Sequence, residues 1–264
     1  MIKGQDKVLS KLFSFSLDTM PHSIILEGKN GSGRKTTVED ISEKFGLKLL
    51  DITSNISLDI IEDALLSPIP TMYMIDSDDV GIREQNILLK FLEEPLKGSY
   101  ITIITTKLSS LLQTVQNRCQ IVQFSPYSKE FLTDFLTDKS RTDVIEYAET
   151  PGQVIEYESQ NMSEIVNLCY KIVASISVAS FPNTLTISNK IAFKKDEKGI
   201  PVNLFFKVMT ATIRKTYISN NGNLLIQFYR LTEDTFNTID RSNSINKKWV
   251  FENYLIKLKE CTVQ

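Results

Sequence analysis

Along the first half of the chain, short apolar runs alternate with longer stretches whose apolar residues recur at helical spacing. "HSIILEG" (His22–Gly28) is a brief apolar run ending in glycine, the pattern of a strand buried on both faces of a parallel sheet. The stretch from Lys35 to Phe45 predicts a helix that ends at Gly46. "LKLLDI" (Leu47–Ile52) predicts a second strand, and "SLDIIEDALL" (Ser57–Leu66) a second helix with Ser57 placed to cap it. "PTMYMID" (Pro70–Asp76) reads as a third strand. "REQNILLKFLEE" (Arg83–Glu94) is a strongly amphipathic helix stopped by Pro95, and "SYITIITT" (Ser99–Thr106) is a fourth strand. "SSLLQTVQNRC" (Ser109–Cys119) then reads as helix, and "QIVQFSP" (Gln120–Pro126) as a last short strand closed by proline.

Strand and helix in alternation, joined by short connections, imply an α/β domain: a parallel sheet with helices on both faces. After Tyr127 the alternation stops. Residues 128–160 predict two or three short helices, broken at Pro151-Gly152. From Ser163 onward the pattern is of longer helices, with polar interruptions at "KKDEKGIP" (194–201) and "SNNGN" (219–223). The expected division is an α/β domain over 1–127, a small helical domain over 128–162 and an all-α domain over 163–264. The sequence has no internal repeat and no low-complexity tail.

Composition narrows the chemistry. A net charge of -2 argues against a chain that grips nucleic acid by bulk positive charge, so any DNA contact must be local or shared with partners. The three cysteines, Cys119, Cys169 and Cys261, stand far apart, and His22 is the only histidine. That excludes a zinc module built on Cys and His within this chain and fits a reducing compartment. The opening "MIKGQDKVLSKLFSF" carries charge from its third residue and does not read as a signal peptide. No apolar run approaches the roughly 20 residues that span a bilayer. A soluble, cytoplasmic protein without membrane contact is the expectation.

One stretch carries candidate chemistry. "LEGKNGSGRKTT" (Leu26–Thr37) sets Gly28, Gly31 and Gly33 at a strand-to-helix junction, where backbone N–H groups and a helix N-terminus meet phosphate oxygens. In the usual phosphate loop a lysine after the last glycine reaches the terminal phosphates, and the next hydroxyl holds Mg²⁺. Here Arg34 stands in the lysine position and Lys35 in the hydroxyl position. Arginine can hold phosphate, but its flat fork does not act as an ammonium point charge. Thr36 supplies a hydroxyl only if the loop shifts by one residue. The same glycines would also serve a plain tight turn, and the loop alone does not choose between the two. The third strand ends at Asp76, where an Asp for Mg²⁺ and a following Glu for water activation are expected, but Ser77 follows and offers no basic carboxylate. Asp78 and Asp79 are expected in a solvated acidic loop. Cys119 is expected to be a small buried residue and His22 structural.

Two further stretches carry a resemblance. "NILLKFLEEP" (Asn86–Pro95), followed by "ITIITTKLSSLLQTVQNRC" (Ile101–Cys119), resembles the AAA+ module of the DNA clamp loaders, where a Leu-Glu-Glu-Pro helix precedes a strand with a polar nucleotide sensor and a helix closing in Ser-Arg-Cys. The start "IKGQDKVLSKL", the strand "PHSIILEG" and the final "NSINKKWVFENYLIKL" are similar to the family as well, the last to its delta-prime-like subunits. The match extends over essentially the whole chain and is weakest between residues 160 and 235. Asn117 replaces the serine, while Arg118 and Cys119 are kept. The zinc module that bacterial members usually carry is missing. The lid arginine is missing too, its position falling near Ile155. Counting back from Leu-Glu-Glu-Pro sets Asp76 at the glutamate position and leaves Ile75 for the metal-binding Asp, so neither alignment restores both carboxylates.

The resemblance implies a non-hydrolysing clamp loader subunit with a degenerate nucleotide site of Gly28, Gly31, Gly33, Arg34, Lys35, Thr36 and Asp76, and Thr106 as sensor. It implies that Arg118 enters the ATP site of a neighbouring subunit, while residues 128–162 form a lid and 163–264 a collar. The partners implied are the other loader subunits, the sliding clamp, and primer-template DNA reached through the complex. No cofactor is certain; ATP or ADP with Mg²⁺ are the candidates. Two alternatives stay open: an active AAA+ ATPase using Arg34, Asp76 and an unconventional base, and a replication scaffold without an arginine-finger role.

Overall fold

A computed structural model describes residues 2–57, 59–60, 69–93, 97–178, 183–193, 197–220, 223–241 and 245–263. Five strands form a parallel sheet: β1 (Ser23–Glu27), β2 (Lys48–Asp51), β3 (Thr71–Asp76), β4 (Ser99–Thr105) and β5 (Gln120–Gln123), in the order β2-β3-β4-β1-β5. All five coincide with the apolar runs of the sequence. Alternate residues of the central strands feed two cores. Ile25, Tyr73, Ile75, Ile101 and Ile103 face Leu88, Phe91 and Leu92. Those three belong to a helix over Ile82–Glu93. On the other face Ile24, Leu26, Met72, Met74 and Ile104 meet Val8 and Leu12 of a helix over Asp6–Phe13, and Val38 and Ile41 of one over Arg34–Phe45. A strand period of 2 meeting a helix period of 3.6 on each face is what makes this layered arrangement close.

The first core helices are α1 (Asp6–Phe13), α2 (Arg34–Phe45) and α3 (Ile82–Glu93). Gly46, at φ +63°, ends α2 in the left-handed conformation that glycine adopts without strain. Of the helix expected over Ser57–Leu66, Asp59 and Ile60 are helical and the Ser57 hydroxyl accepts a hydrogen bond from the Ile60 N–H (3.4 Å). Residues 61–66, like the Glu94 and Pro95 stop of α3, lie outside the described residues. The helix expected over Ser109–Cys119 is shorter than its pattern: a 3-10 turn spans Leu108–Ser110, and α4 only Gln113–Gln116. Leu111 and Leu112 are extended between them. Side chains hold that break open. Gln85 accepts from the Leu112 N–H (2.8 Å) and donates to the Ser110 carbonyl (3.2 Å), and Gln116 donates to the carbonyls of Leu108 and Leu111.

By contacts the chain divides into two compact units, one of residues 1–135 with 148–155 and one of 136–147 with 156–264. Short helices follow β5: α5 (Lys129–Thr133), α6 (Thr142–Ile145) and α7 (Pro151–Glu158). Pro151 opens α7 rather than breaking a helix, because proline lacks only an N–H that the first turn leaves unbonded anyway. The second unit is built on α8 (Met162–Val178), α10 (Val202–Asn220), α11 (Asn223–Arg241) and α12 (Lys247–Val263). Phe205, Phe206, Phe251 and Tyr254 form its aromatic centre, and the buried Tyr254 hydroxyl meets Thr232 at 2.9 Å. A five-residue α9 (Thr184–Ser188) and a two-stranded ribbon, Ile191–Ala192 with Ile200–Pro201, complete it. The ribbon is too short to leave a periodicity in the sequence. Parts of "KKDEKGIP" and "SNNGN", expected as interruptions, lie outside the described residues. Among the described residues no helix is long and apolar enough to cross a membrane.

Candidate functional site

The carboxyl ends of β1, β3 and β4 meet at one edge of the sheet, the end where open α/β sheets hold ligands. From β1 the chain turns through Gly28–Gly33 into α2. Gly31 (φ +78°) and Gly33 (φ +95°) take conformations that a side chain would strain. The carbonyls of Lys29 through Gly33 are all engaged, two of them within the loop and α2, by Ser32 and Thr37. Thr150 donates to the Asn30 carbonyl (2.8 Å), the Gly152 N–H to that of Gly31 (3.0 Å), and the Tyr127 hydroxyl to that of Ser32 (2.7 Å). Lys29 pairs with Glu149 beside them. Among the described residues no acceptor meets the N–H groups of Gly31, Gly33, Arg34, Lys35 and Thr36. A run of unengaged N–H groups at a helix N-terminus is an anion nest.

Arg34 is 5% exposed. Its Nη2 donates to Asn30 Oδ1 (2.7 Å), and its Nη1 lies 3.7 Å from Asp78 Oδ2, too far for a hydrogen bond. That Nη1 is buried and meets no acceptor among the described residues, as do the hydroxyls of Ser32 and Ser77. Burial pulls the guanidinium below its ordinary pKa, and Asp78 and Asp76 pull it back. Arginine stays charged throughout. Lys35, more than half exposed, reaches Asp76 Oδ2 at 3.5 Å. Burial, and after it the Asp78 carboxylate, push Asp76 above the usual carboxylate range against the pull of Arg34 and Lys35.

Asp78 corrects an expectation. It does not sit in a solvated loop: the 3-10 turn Ser77–Asp79, capped by Asp76 accepting from the Asp78 N–H, carries it to the end of β4. There Asp78 Oδ1 accepts from both the N–H and the hydroxyl of Thr106, each at 3.0 Å. The predicted sensor position and the glycine loop are thus joined through a carboxylate expected in solvent. The one available signal was its place two residues past the strand end, which has meaning only once the turn is known. Thr36 is exposed on α2, and no hydrogen bond brings its hydroxyl to this corner.

The donor set does not fit Mg²⁺. That ion demands oxygen ligands in near-octahedral geometry. The hydroxyl position holds an ammonium, and both nearby carboxylates face cations of the chain itself. Phosphate fits better, through the nest and the orphaned Arg34 Nη1. Among the described residues no group of three or more His, Cys, Asp or Glu could hold a metal.

Arg118 follows α4 and is separate from this corner: no ion pair or hydrogen bond among the described residues joins it to Arg34, Asp76, Asp78 or Thr106. Its Nη2 bonds to Glu93 Oε1 (2.6 Å) and its Nη1 donates to the Thr114 carbonyl (2.8 Å), with about a third of the side chain exposed. Asn117 accepts from Gln113 (2.8 Å), closing the turn that carries it. Cys119 is held inert by burial, which pushes its thiol up to about 12. His22 lies edge-on to Phe91, and burial lowers its pKa. Ile155, where a lid arginine was sought, is exposed.

Residues 51–128 match the family described as DNA polymerase III, delta subunit. The chain is 25% identical over 170 residues to DNA polymerase III subunit delta' of Bacillus subtilis (strain 168), an alignment taking in 51% of this chain and 52% of the relative. The chain therefore spans about half the length of the curated relative it matches. In fold it is similar to a DNA polymerase III, gamma subunit-related protein of Thermotoga maritima, with TM-score 0.51 and 18% identity over 98% of this chain and all of that one. A RuvB mutant of Thermotoga maritima matches at TM-score 0.51 and 14% identity, over 96% of this chain and 88% of its own. The fold is that of an AAA+ α/β module followed by a helical region. In sequence the chain resembles the DNA polymerase III delta-prime-like subunits of the AAA+ clamp loader family.

Proposed function

We propose that this chain is a clamp loader subunit that does not hydrolyse ATP itself and completes the ATP site of a neighbouring subunit with Arg118. Its partners are the other subunits of a hetero-oligomeric loader; through them it acts on a sliding clamp and primed DNA in cytoplasmic replication. Residues 1–127 form the AAA+ body of this reading, 128–162 its lid and 163–264 its share of a collar.

The observation that carries the proposal is the presentation of Arg118. Its guanidinium is braced by a carboxylate and a backbone carbonyl, and about a third of the side chain stays exposed. An arginine held in this way needs little reordering to meet phosphate on another chain. The altered home site supports the same division of labour, since Ser77 offers no base and Lys35 no metal ligand. One observation favours an active ATPase instead, the carboxylate of Asp78 beside the sensor. That carboxylate already accepts two hydrogen bonds from Thr106 and faces Arg34, so it is engaged within the chain.

In a reconstituted loader, Arg118→Ala is expected to lower ATP turnover about a hundredfold, or about 2.7 kcal/mol in the barrier. Arg118→Lys should recover little, because a point charge does not reproduce a planar fork. Size-exclusion chromatography would show the assembly intact. Full turnover by an intact assembly carrying Arg118→Ala would overturn the finger and leave a scaffold.

A further inference from the structure

The charges at the loop balance without a metal. Arg34 faces Asp78 and Lys35 faces Asp76, so two cations of the chain stand where a divalent ion and its ligands are expected. What remains unbalanced is on the donor side: the N–H groups of Gly31, Gly33, Arg34, Lys35 and Thr36, the buried Nη1 of Arg34, and the buried Ser32 hydroxyl. A buried arginine nitrogen without an acceptor is costly, and an anion beside it would relieve that cost. The carbonyls of Asn30, Gly31 and Ser32 are tied down by Thr150, Gly152 and Tyr127, so the loop is fixed in this conformation in advance of any ligand.

We propose that this loop binds the phosphates of a nucleoside di- or triphosphate without Mg²⁺, its free N–H groups and Arg34 meeting the phosphate while Arg34 and Lys35 offset the Asp76 and Asp78 carboxylates. The inference rests on reading residues 28–37 as a phosphate loop and is independent of Arg118. The site is then a static one. Arg34 grips phosphate, Lys35 and Arg34 keep Asp76 and Asp78 from repelling it, and no base stands ready to attack it.

The test is calorimetric titration of the full chain with ADP, ATP and pyrophosphate, in EDTA and in excess Mg²⁺. The expected result is binding of ADP and ATP that differs by less than about threefold between the two conditions, which is under 1 kcal/mol. Affinity should weaken with added salt, as a charge-dominated site requires. Arg34→Ala should abolish binding. The double variant Arg34→Lys with Lys35→Thr restores the usual lysine and hydroxyl, and should bind at least about tenfold more tightly with Mg²⁺ than without. Thermal unfolding of each variant confirms that it is folded. Loss of wild-type binding in EDTA, or no binding by the folded chain in either condition, overturns the proposal. Pyrophosphate binding as tight as ADP binding overturns its assignment to a nucleotide. Turnover by the assembled loader is a separate measurement, so a failure here and a failure of the Arg118 reading are told apart.

Discussion

At Asp76 the balance of forces has a sign that can be measured. Burial and the neighbouring Asp78 raise its pKa above the unfolded value. Between those two values the folded chain holds a proton that the unfolded chain has released, so stability falls as pH rises through the window and the penalty is complete at neutral pH. Asp76→Asn removes the charge and keeps an oxygen to accept from the Asp78 N–H. It forfeits the attraction of Arg34 and the pair with Lys35, the latter exposed and so worth little. The variant should melt no lower than wild type at pH 7, and its advantage should vanish below the ordinary carboxylate range. A lower melting temperature at pH 7 would mean that Lys35 and Arg34 win over burial. The glycine rhythm, Arg34, Asp76 and Thr106 could be read from sequence, since each has a fixed offset from a strand end. Asp78 could not, because a 3-10 turn decides where it points and "SDD" does not specify one.

Most of the legible elements bury apolar area. β1, β3, β4 and β5, with α2 and α3, each face a core, so the periodicity that builds them is also what stabilises them. The edge strand β2 has no buried residue and was legible from its apolar run alone, whereas α1 buries Val8, Leu9 and Leu12 and was not read as a helix. The helix over Ser109–Cys119 was overdrawn. Buried Leu111 and the hydrogen bond from the Leu112 N–H to Gln85 pull the chain straight where local propensity favours helix. The meeting of the phosphate loop with the start of α7 left no trace in sequence beyond two glycines far apart. A Cβ on Gly152 would fall 2.6 Å from the Gly31 Cα, which is backbone and cannot turn aside. Gly→Ala in a helix ordinarily stabilises by about 1 kcal/mol. Here the sign should reverse, with Gly152→Ala costing about 1–3 kcal/mol in urea-unfolding free energy. A neutral or stabilising result would show that the contact yields.

The whole molecule joins an AAA+ fold to a loop corner whose charges pair within the chain. A net charge of -2 gives the chain no bulk attraction for DNA, which agrees with a part that works through its assembly. The central claim is that hydrolysis depends on what this chain lends to a neighbour and not on its own loop. Comparing Arg34→Ala with Arg118→Ala in the reconstituted loader, with clamp and primed DNA present, tests it most directly. Turnover is expected within about twofold of wild type for Arg34→Ala and about a hundredfold lower for Arg118→Ala, a gap of more than about 2 kcal/mol in the barrier. The reverse pattern, turnover lost with Arg34 and kept without Arg118, would contradict it and make this chain the ATPase.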